Sequence, residues 1–349
     1  MKVGMRMKES CADSTFVPYL IHNPETMPFS IAEKIKIKYQ EKGREYFFKL
    51  AKESKILPFA AHTFCFLGCD SNYWNGIHQH HIERNSLIEE IIDHIFKRFD
   101  QFGIETICLF ENFGTVLSAG SCLGCFCSGD VDLTADIENE KEISAVLDFF
   151  NFKKEEENRG IFNNVSSYHH RSMFEKGFRI NIVWEPVGNR LECFNKACSL
   201  RLRLERMHAK KLPNESIRVL QNNALLYFSI LHIASGHFYT MQPGLRLYVD
   251  IDRLIRNCEI QWEKILQWAT EDRIGPRSDM VLSICSKILN TPIPEKAFTP
   301  NVDSNAFKKL FFFLIEEKNY TFKEHNNLYH RAYVEILSEF ITTKRGRCN

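Results

Sequence analysis

From Phe29 to Ser54 the chain reads FSIAEKIKIKYQEKGREYFFKLAKES, and its apolar positions, Ile31, Ile35, Tyr39, Phe47 and Leu50 among them, recur at the spacing of an amphipathic helix. A second helix is predicted from near Asn85, where Leu87, Ile91, Ile95 and Phe99 recur every four residues, Ser86 can cap the start and Gly103 can stop the run. The period then changes. ETICLF, at 105–110, is short, apolar and β-branched, and reads as a buried strand. ENFGTVLSAGS suits a short helix, DVDLTAD alternates Asp130 and Asp132 with Val131 and Leu133 as a strand does, and NEKEISAVLDFF is helical again. VSSYHHRSMF and FRINIVW, joined by Glu175-Lys176-Gly177, form a predicted strand pair. Beyond about Leu200 the pattern is mostly helical, through SIRVLQNNALLYFSILHIASGHF, LRLYVDIDRLIRN, QWEKILQWATED and SDMVLSICSKILN, then a TPIPEKAFTP linker and an aromatic-rich helical pair.

These elements predict an α+β protein: a small mixed β-sheet core with helices, embedded in N- and C-terminal helical regions. The expected divisions are a helical region at 1–84, the α/β core at 85–200 and a helical domain at 201–349. A chain of 349 residues is long enough for this, and 44% hydrophobic with 26% charged residues is ordinary for a globular protein. The 45 basic and 44 acidic residues nearly cancel, which disfavours a long nucleic acid as partner, because such binding is mostly phosphate neutralisation. The start, MKVGMRMKESCADSTF, lacks the apolar stretch of a signal peptide, and no apolar run is long enough to span a bilayer. The expectation is a cytoplasmic protein without a membrane partner, its twelve cysteines held reduced.

On a strand, Asp130 and Asp132 point the same way. Two carboxylates that close repel one another unless a cation lies between them, and Mg²⁺ is a cation that takes one or two carboxylates together with phosphate oxygens. The plain alternative is a solvated strand face, since D-x-D alone is common.

Element order adds to this. Strand, short helix, loop, D-x-D strand, helix and further strand is the order of the polymerase β-like nucleotidyltransferase core. LRLYVDIDRLIRNCEIQWEKILQWATED followed by ILNTPIPEKAF, with LLYFSILHIASGHF upstream, resembles the C-terminal part of a bacterial family of uncharacterised nucleotidyltransferases. His232 and His237 fall near that family's paired histidines. The resemblance covers roughly Ala51 to Phe298. It implies Mg²⁺-dependent (or Mn²⁺-dependent) transfer of a nucleoside monophosphate from an NTP to an acceptor hydroxyl on a small molecule, a sugar, or a peptide or protein.

The same resemblance distributes roles. Asp130 and Asp132 become the metal ligands and, with Asn181 in the place of a third carboxylate, the catalytic set. The phosphate turn falls at Asn112, Phe113 and Gly114, directly after the first strand, with Gly129 in the nucleotide-binding set; independently of the resemblance, Arg171 shares a predicted strand face with His169 and either reaches a triphosphate or belongs to a surface strand pair. Gly120-Ser121 is then a helix end and not the phosphate cradle. Several positions depart from the family's pattern. Glu111 and Asn112 stand where Lys-Gly is usual, Phe126 and Cys127 where an Arg is frequent, and Asn181 and Val183 replace Asp and His in RINIVWEP while Trp184 is kept. Asn tolerates positive φ better than most residues, so the turn is expected to survive, and Glu185 shares the strand parity of Asn181. The losses favour an alternative: a catalytically inactive module of the same fold that binds a nucleotide or protein partner.

Three further clusters remain. Cys122, Cys125 and Cys127 admit a zinc site, a redox-sensitive thiol group or simple packing; with no well-spaced second pair before Cys193 and Cys198, packing is the expectation. HQHHIE, at 78–83, places three imidazoles in four residues and reads as a polar loop before a helix, solvated rather than metal-bound. Arg201, Arg203, Arg206, Lys210 and Lys211 form the one basic cluster, a solvated face or a wall facing phosphate, and Arg246 with Asp250 has the spacing of an intrahelical pair.

Overall fold

The computed structural model describes residues 14–155, 165–175, 177–184, 203–213, 215–236 and 245–298. Helix α1 (Phe29–Glu53) kinks at Gly43, whose φ of 75° interrupts the helical backbone. Helix α2 (Leu57–Leu67) starts with Pro58, which lacks the N–H that a first turn leaves unused, and ends at left-handed Gly68. Helix α3 (Ser71–Gln101) starts well before Asn85 and takes in the whole HQHHIE run. The expected loop is therefore helix. Its buried face runs Trp74, His78, Asn85, Ile88, Ile92, Ile95 and Phe99, so the helical spacing continues upstream through a His and an Asn that hydrophobicity counts as polar.

The sheet has seven strands in the order β3-β4-β5-β2-β1-β7-β6. These are β1 (Cys108–Leu109), β2 (Asp130–Thr134), β3 (Lys153–Lys154), β4 (Val165–His170), β5 (Phe178–Val183), β6 (Lys210–Lys211) and β7 (Arg218–Val219). The pairs β2–β5 and β1–β7 are parallel and the other four antiparallel, which gives the expected mixed sheet. Helices α4 (Phe113–Ser118) and α5 (Glu140–Phe149) lie between strands in sequence, and α6 (Asn222–Leu231), α7 (Leu245–Asn257), α8 (Trp262–Glu271) and α9 (Gly275–Leu289) follow the sheet. The final aromatic-rich pair, with His237, Glu185, Cys193, Cys198 and Arg201, lies outside the described residues.

Two apolar cores meet at β1. Leu109 joins the core formed by α3, α5 and one sheet face, while Cys108 and Phe110 join the core of α1, α2 and the C-terminal helices. The alternation of a strand thus buries Ile107 to Phe110 on both sides, while Glu105 stays exposed, and Phe110 packs edge-on to Phe228 of α6 with centroids 4.5 Å apart.

Candidate active site

The aspartate pair is fixed by strand register. Asp132 lies opposite Asn181 of β5, and Asn181 lies opposite Ser167 of β4, so the three side chains share one row and one face. Ser167 Oγ donates to Asn181 Oδ1 at 2.9 Å, which turns the amide nitrogen toward the aspartates. Asn181 Nδ2 then donates to Asp130 Oδ2 at 3.1 Å and to Asp132 Oδ1 at 3.0 Å. Oxygens from two carboxylates therefore converge on one nitrogen atom. Ser128 Oγ donates to the other oxygen of Asp130.

The turn after β1 supplies the opposite wall. Asn112 has φ 46° and ψ −100°, a backbone state suited to glycine and costly for a side chain. It is compensated by Asn112 Nδ2, which donates to Asp132 Oδ2 at 2.6 Å. Phe113 is buried and stacks at an angle on Phe126, centroids 4.8 Å apart. Gly114 lets α4 sit directly on β1, because a Cβ there would come within 2.9 Å of Leu109 Cβ. Gly120, with φ 58°, ends α4: Ser121 N–H donates to the Val116 carbonyl at 3.0 Å, the return expected of a helix C-terminus. Gly129 is exposed just before Asp130, and Arg171 is exposed in the turn after β4. The structure thus brings Asp130, Asp132, Asn181 and Asn112 into contact, with Phe113 and Gly114 behind the turn.

Three neighbours were not assigned to the site from sequence. Glu111, buried, contacts His232, with Oε2 3.3 Å from Nδ1. Burial first, and then the charge of Asp130, pushes the Glu111 carboxyl up to about 8. Burial, helped by Arg246, holds His232 down to about 4. At neutral pH without a cation this contact is therefore a neutral hydrogen bond and not an ion pair. Burial, and next the charges of Glu111 and Asp130, also raise Asp132 well above the carboxylate range. Arg246 of α7 interacts electrostatically with Cys127, Asp250 and Asp130, so the site has a cation beside its carboxylates. Glu111 had a signal, being the residue before the predicted turn; Arg246 and His232 depend on tertiary packing that no local spacing encodes.

The basic cluster serves the fold. Buried Arg206 donates to Thr134 Oγ1 at 2.7 Å and to the Ala135 carbonyl at 2.9 Å, Arg203 pairs with Asp136 at 3.2 Å, and Lys210 Nζ donates to Asn222 Oδ1 at 2.8 Å. These contacts fasten the end of β2 and the start of α6.

The donor set suits a divalent cation. Asp130 and Asp132 offer hard oxygens already directed at one point, and a +2 charge there relieves the repulsion that raises Asp132 and Glu111. The fold and site define an α+β protein with a convergent carboxylate pair on a central strand beside a positive-φ turn. Residues 40–290 match the family of uncharacterised nucleotidyltransferases, and the chain belongs to that family. Its membership implies an NTP as substrate class. No curated protein and no solved structure matches the chain. No helix among the described residues is long and apolar enough to cross a membrane.

Proposed function

We propose that the protein is a Mg²⁺-dependent nucleotidyltransferase that moves a nucleoside monophosphate from an NTP to an acceptor hydroxyl. The observation that carries this reading is the convergence of Asp130 Oδ2 and Asp132 Oδ1 on a single point, now held by Asn181 Nδ2. Asp130 and Asp132 hold the metal, for which Mn²⁺ can substitute, and Asn181 yields its two hydrogen bonds when the cation arrives. Mg²⁺, when bound, neutralises charge on the reacting phosphate oxygens. The backbone from Asn112 to Gly114 and the exposed Gly129 lie under the phosphates, and Arg246 and Arg171 face them as cations. Asn181 accepts no proton, so its part is positioning. Catalysis then comes from orientation and preorganised charge. The acceptor is a small molecule, a sugar, or a peptide or protein; the near-zero net charge disfavours a long nucleic acid.

One observation favours the other reading, a nucleotidyltransferase-fold module that binds a nucleotide or protein partner without turnover. Glu111 adds a third acidic side chain where a phosphate-binding turn ordinarily has a cation, and two Asn amides already satisfy Asp132. The experiment is transfer from an α-³²P-labelled NTP in Mg²⁺ to components of a cell extract. The enzyme reading predicts labelled product and pyrophosphate release, both absent in Asp130→Ala/Asp132→Ala. Nucleotide binding without pyrophosphate release would select the module.

A further inference from the structure

Away from the carboxylates, a second group of ligating side chains gathers where the loop before β2 crosses the helical frame. Cys122 and Cys125 flank a tight 3₁₀ turn, His62 comes from α2 and His78 from α3. The ligating atoms of His62, Cys122 and Cys125 all lie within 4.8 Å of one another. Cys125 Sγ is 3.3 Å from His62 Nδ1, Cys122 Sγ is 3.4 Å from His78 Nε2, and the two imidazoles stack with centroids 4.6 Å apart. Around a tetrahedral zinc ion with the usual bond lengths, neighbouring sulfur and nitrogen ligands are about 3.6 Å apart. The Cys125–His62 separation is within a few tenths of an ångström of that edge, whereas the His78 ring, stacked parallel on His62, cannot aim a lone pair at the same point.

We infer that His62, Cys122 and Cys125 form a zinc site, its fourth position left to a water or further ligand, that fastens the loop preceding Asp130 to α2, with His78 of α3 in hydrogen-bond contact with the Cys122 sulfur beside it. Three further features fit this assignment. The turn Cys122-Leu123-Gly124-Cys125 is a short Cys-x₂-Cys knuckle, and Gly124 makes room for the His78 ring that backs it: a Cβ there would come within 2.6 Å of His78 Cε1. His78 is only 8% exposed, and its Nδ1 has no hydrogen-bond partner, so the thiol is the polar contact that accounts for this ring among the described residues. Arg253, buried over the Phe59 ring at 4.9 Å, sets a positive charge beside Cys125 and Cys122 that favours their thiolate forms.

Thiolate and imidazole donors select zinc over magnesium, so this site and the carboxylate site take different ions. Binding releases whatever protons the two thiols still carry, and two thiolates with the neutral His62 imidazole leave the bound ion uncharged overall. The structural consequence is specific. Asn85 Nδ2 already holds the Leu123 and Phe126 carbonyls at 2.7 and 2.9 Å, and Arg84 holds the Ser128 carbonyl at 3.2 Å, so zinc completes the fixing of the segment that delivers Asp130.

The test uses the full chain, purified under reducing conditions with zinc in the growth medium and dialysed without chelator. Elemental analysis is expected to find about one zinc per chain, retained also in Asp130→Ala/Asp132→Ala and lost in Cys122→Ser/Cys125→Ser. Because the cysteine variant can fail to fold, Co²⁺ exchanged into the wild type gives an independent readout: tetrahedral visible bands with a thiolate charge-transfer band. Reduced, folded wild type that retains no zinc and gives no thiolate–Co²⁺ band overturns the proposal. So does a metal-free protein in which Cys122 and Cys125 cycle as a disulfide.

Discussion

Asp132 is the residue on which the opposing demands of stability and binding fall. It is 7% exposed, and Asp130 and Glu111 stand beside it, so without a cation its carboxylate weakens the fold. Asp132→Asn removes the repelled carboxylate but turns an amide N–H₂ toward Asn112 or Asn181, and is expected to leave the Mg²⁺-free protein folded while abolishing Mg²⁺-dependent nucleotide binding. Thermal unfolding paired with a binding titration checks this; a folded variant that still binds nucleotide contradicts it. Glu111 gives a pH signature with a definite sign. Its carboxyl is raised from 4.5 to about 8, so across that range the folded chain keeps a proton that the unfolded chain has lost, and stability falls as pH rises. His232 acts in the opposite sense between about 4 and 6.5, so the comparison belongs at about pH 6.5 to 8, where the raised Asp250 and Asp132 titrate in both proteins and the difference in slope reports Glu111. There, without divalent ions, the unfolding midpoint of wild type should drop more steeply than that of Glu111→Gln, and parallel slopes would remove Glu111 from this account. The D-x-D pair was legible because strand alternation alone aims both carboxylates one way. Glu111 was readable only as a departure from a familiar pattern, since its burial is set by helices more than a hundred residues away in sequence.

At the scale of elements, α4 and its turn set the geometry. Gly114→Ala places a methyl carbon within 2.9 Å of Leu109 Cβ and forces α4 off β1, at an expected cost of about 1–3 kcal/mol. Denaturant unfolding measures it, and a neutral effect would show that α4 can shift without strain. Asn85→Ala strips two loop carbonyls of their shared partner and should cost about 1–3 kcal/mol by the same measurement. The long amphipathic segments were legible from periodicity, as α1 and α5 illustrate. The start of α3 was not, because His78 and Asn85 occupy buried positions for polar reasons: one faces a thiol and the other two carbonyls. Strands β3, β6 and β7 have two residues each, too few for any alternation to register.

Across the whole molecule, β1 ties the two cores together and the site opens on the strand beside it. The α+β class and the order of elements followed from changes of period along the chain, while two facts of assembly did not. The sheet takes β6 and β7 from beyond residue 200, and α7 sends Arg246 and Arg253 to two different sites. Both depend on long-range packing, to which local pattern is blind. The central claim is that Asp130 and Asp132 form a cation-dependent nucleotide site, and the most direct measurement is calorimetry of the full chain with each of the four NTPs, with and without Mg²⁺. The account predicts micromolar, Mg²⁺-dependent binding of at least one NTP that disappears in Asp130→Ala/Asp132→Ala. Folded wild type that binds no NTP in Mg²⁺ or Mn²⁺ would contradict it.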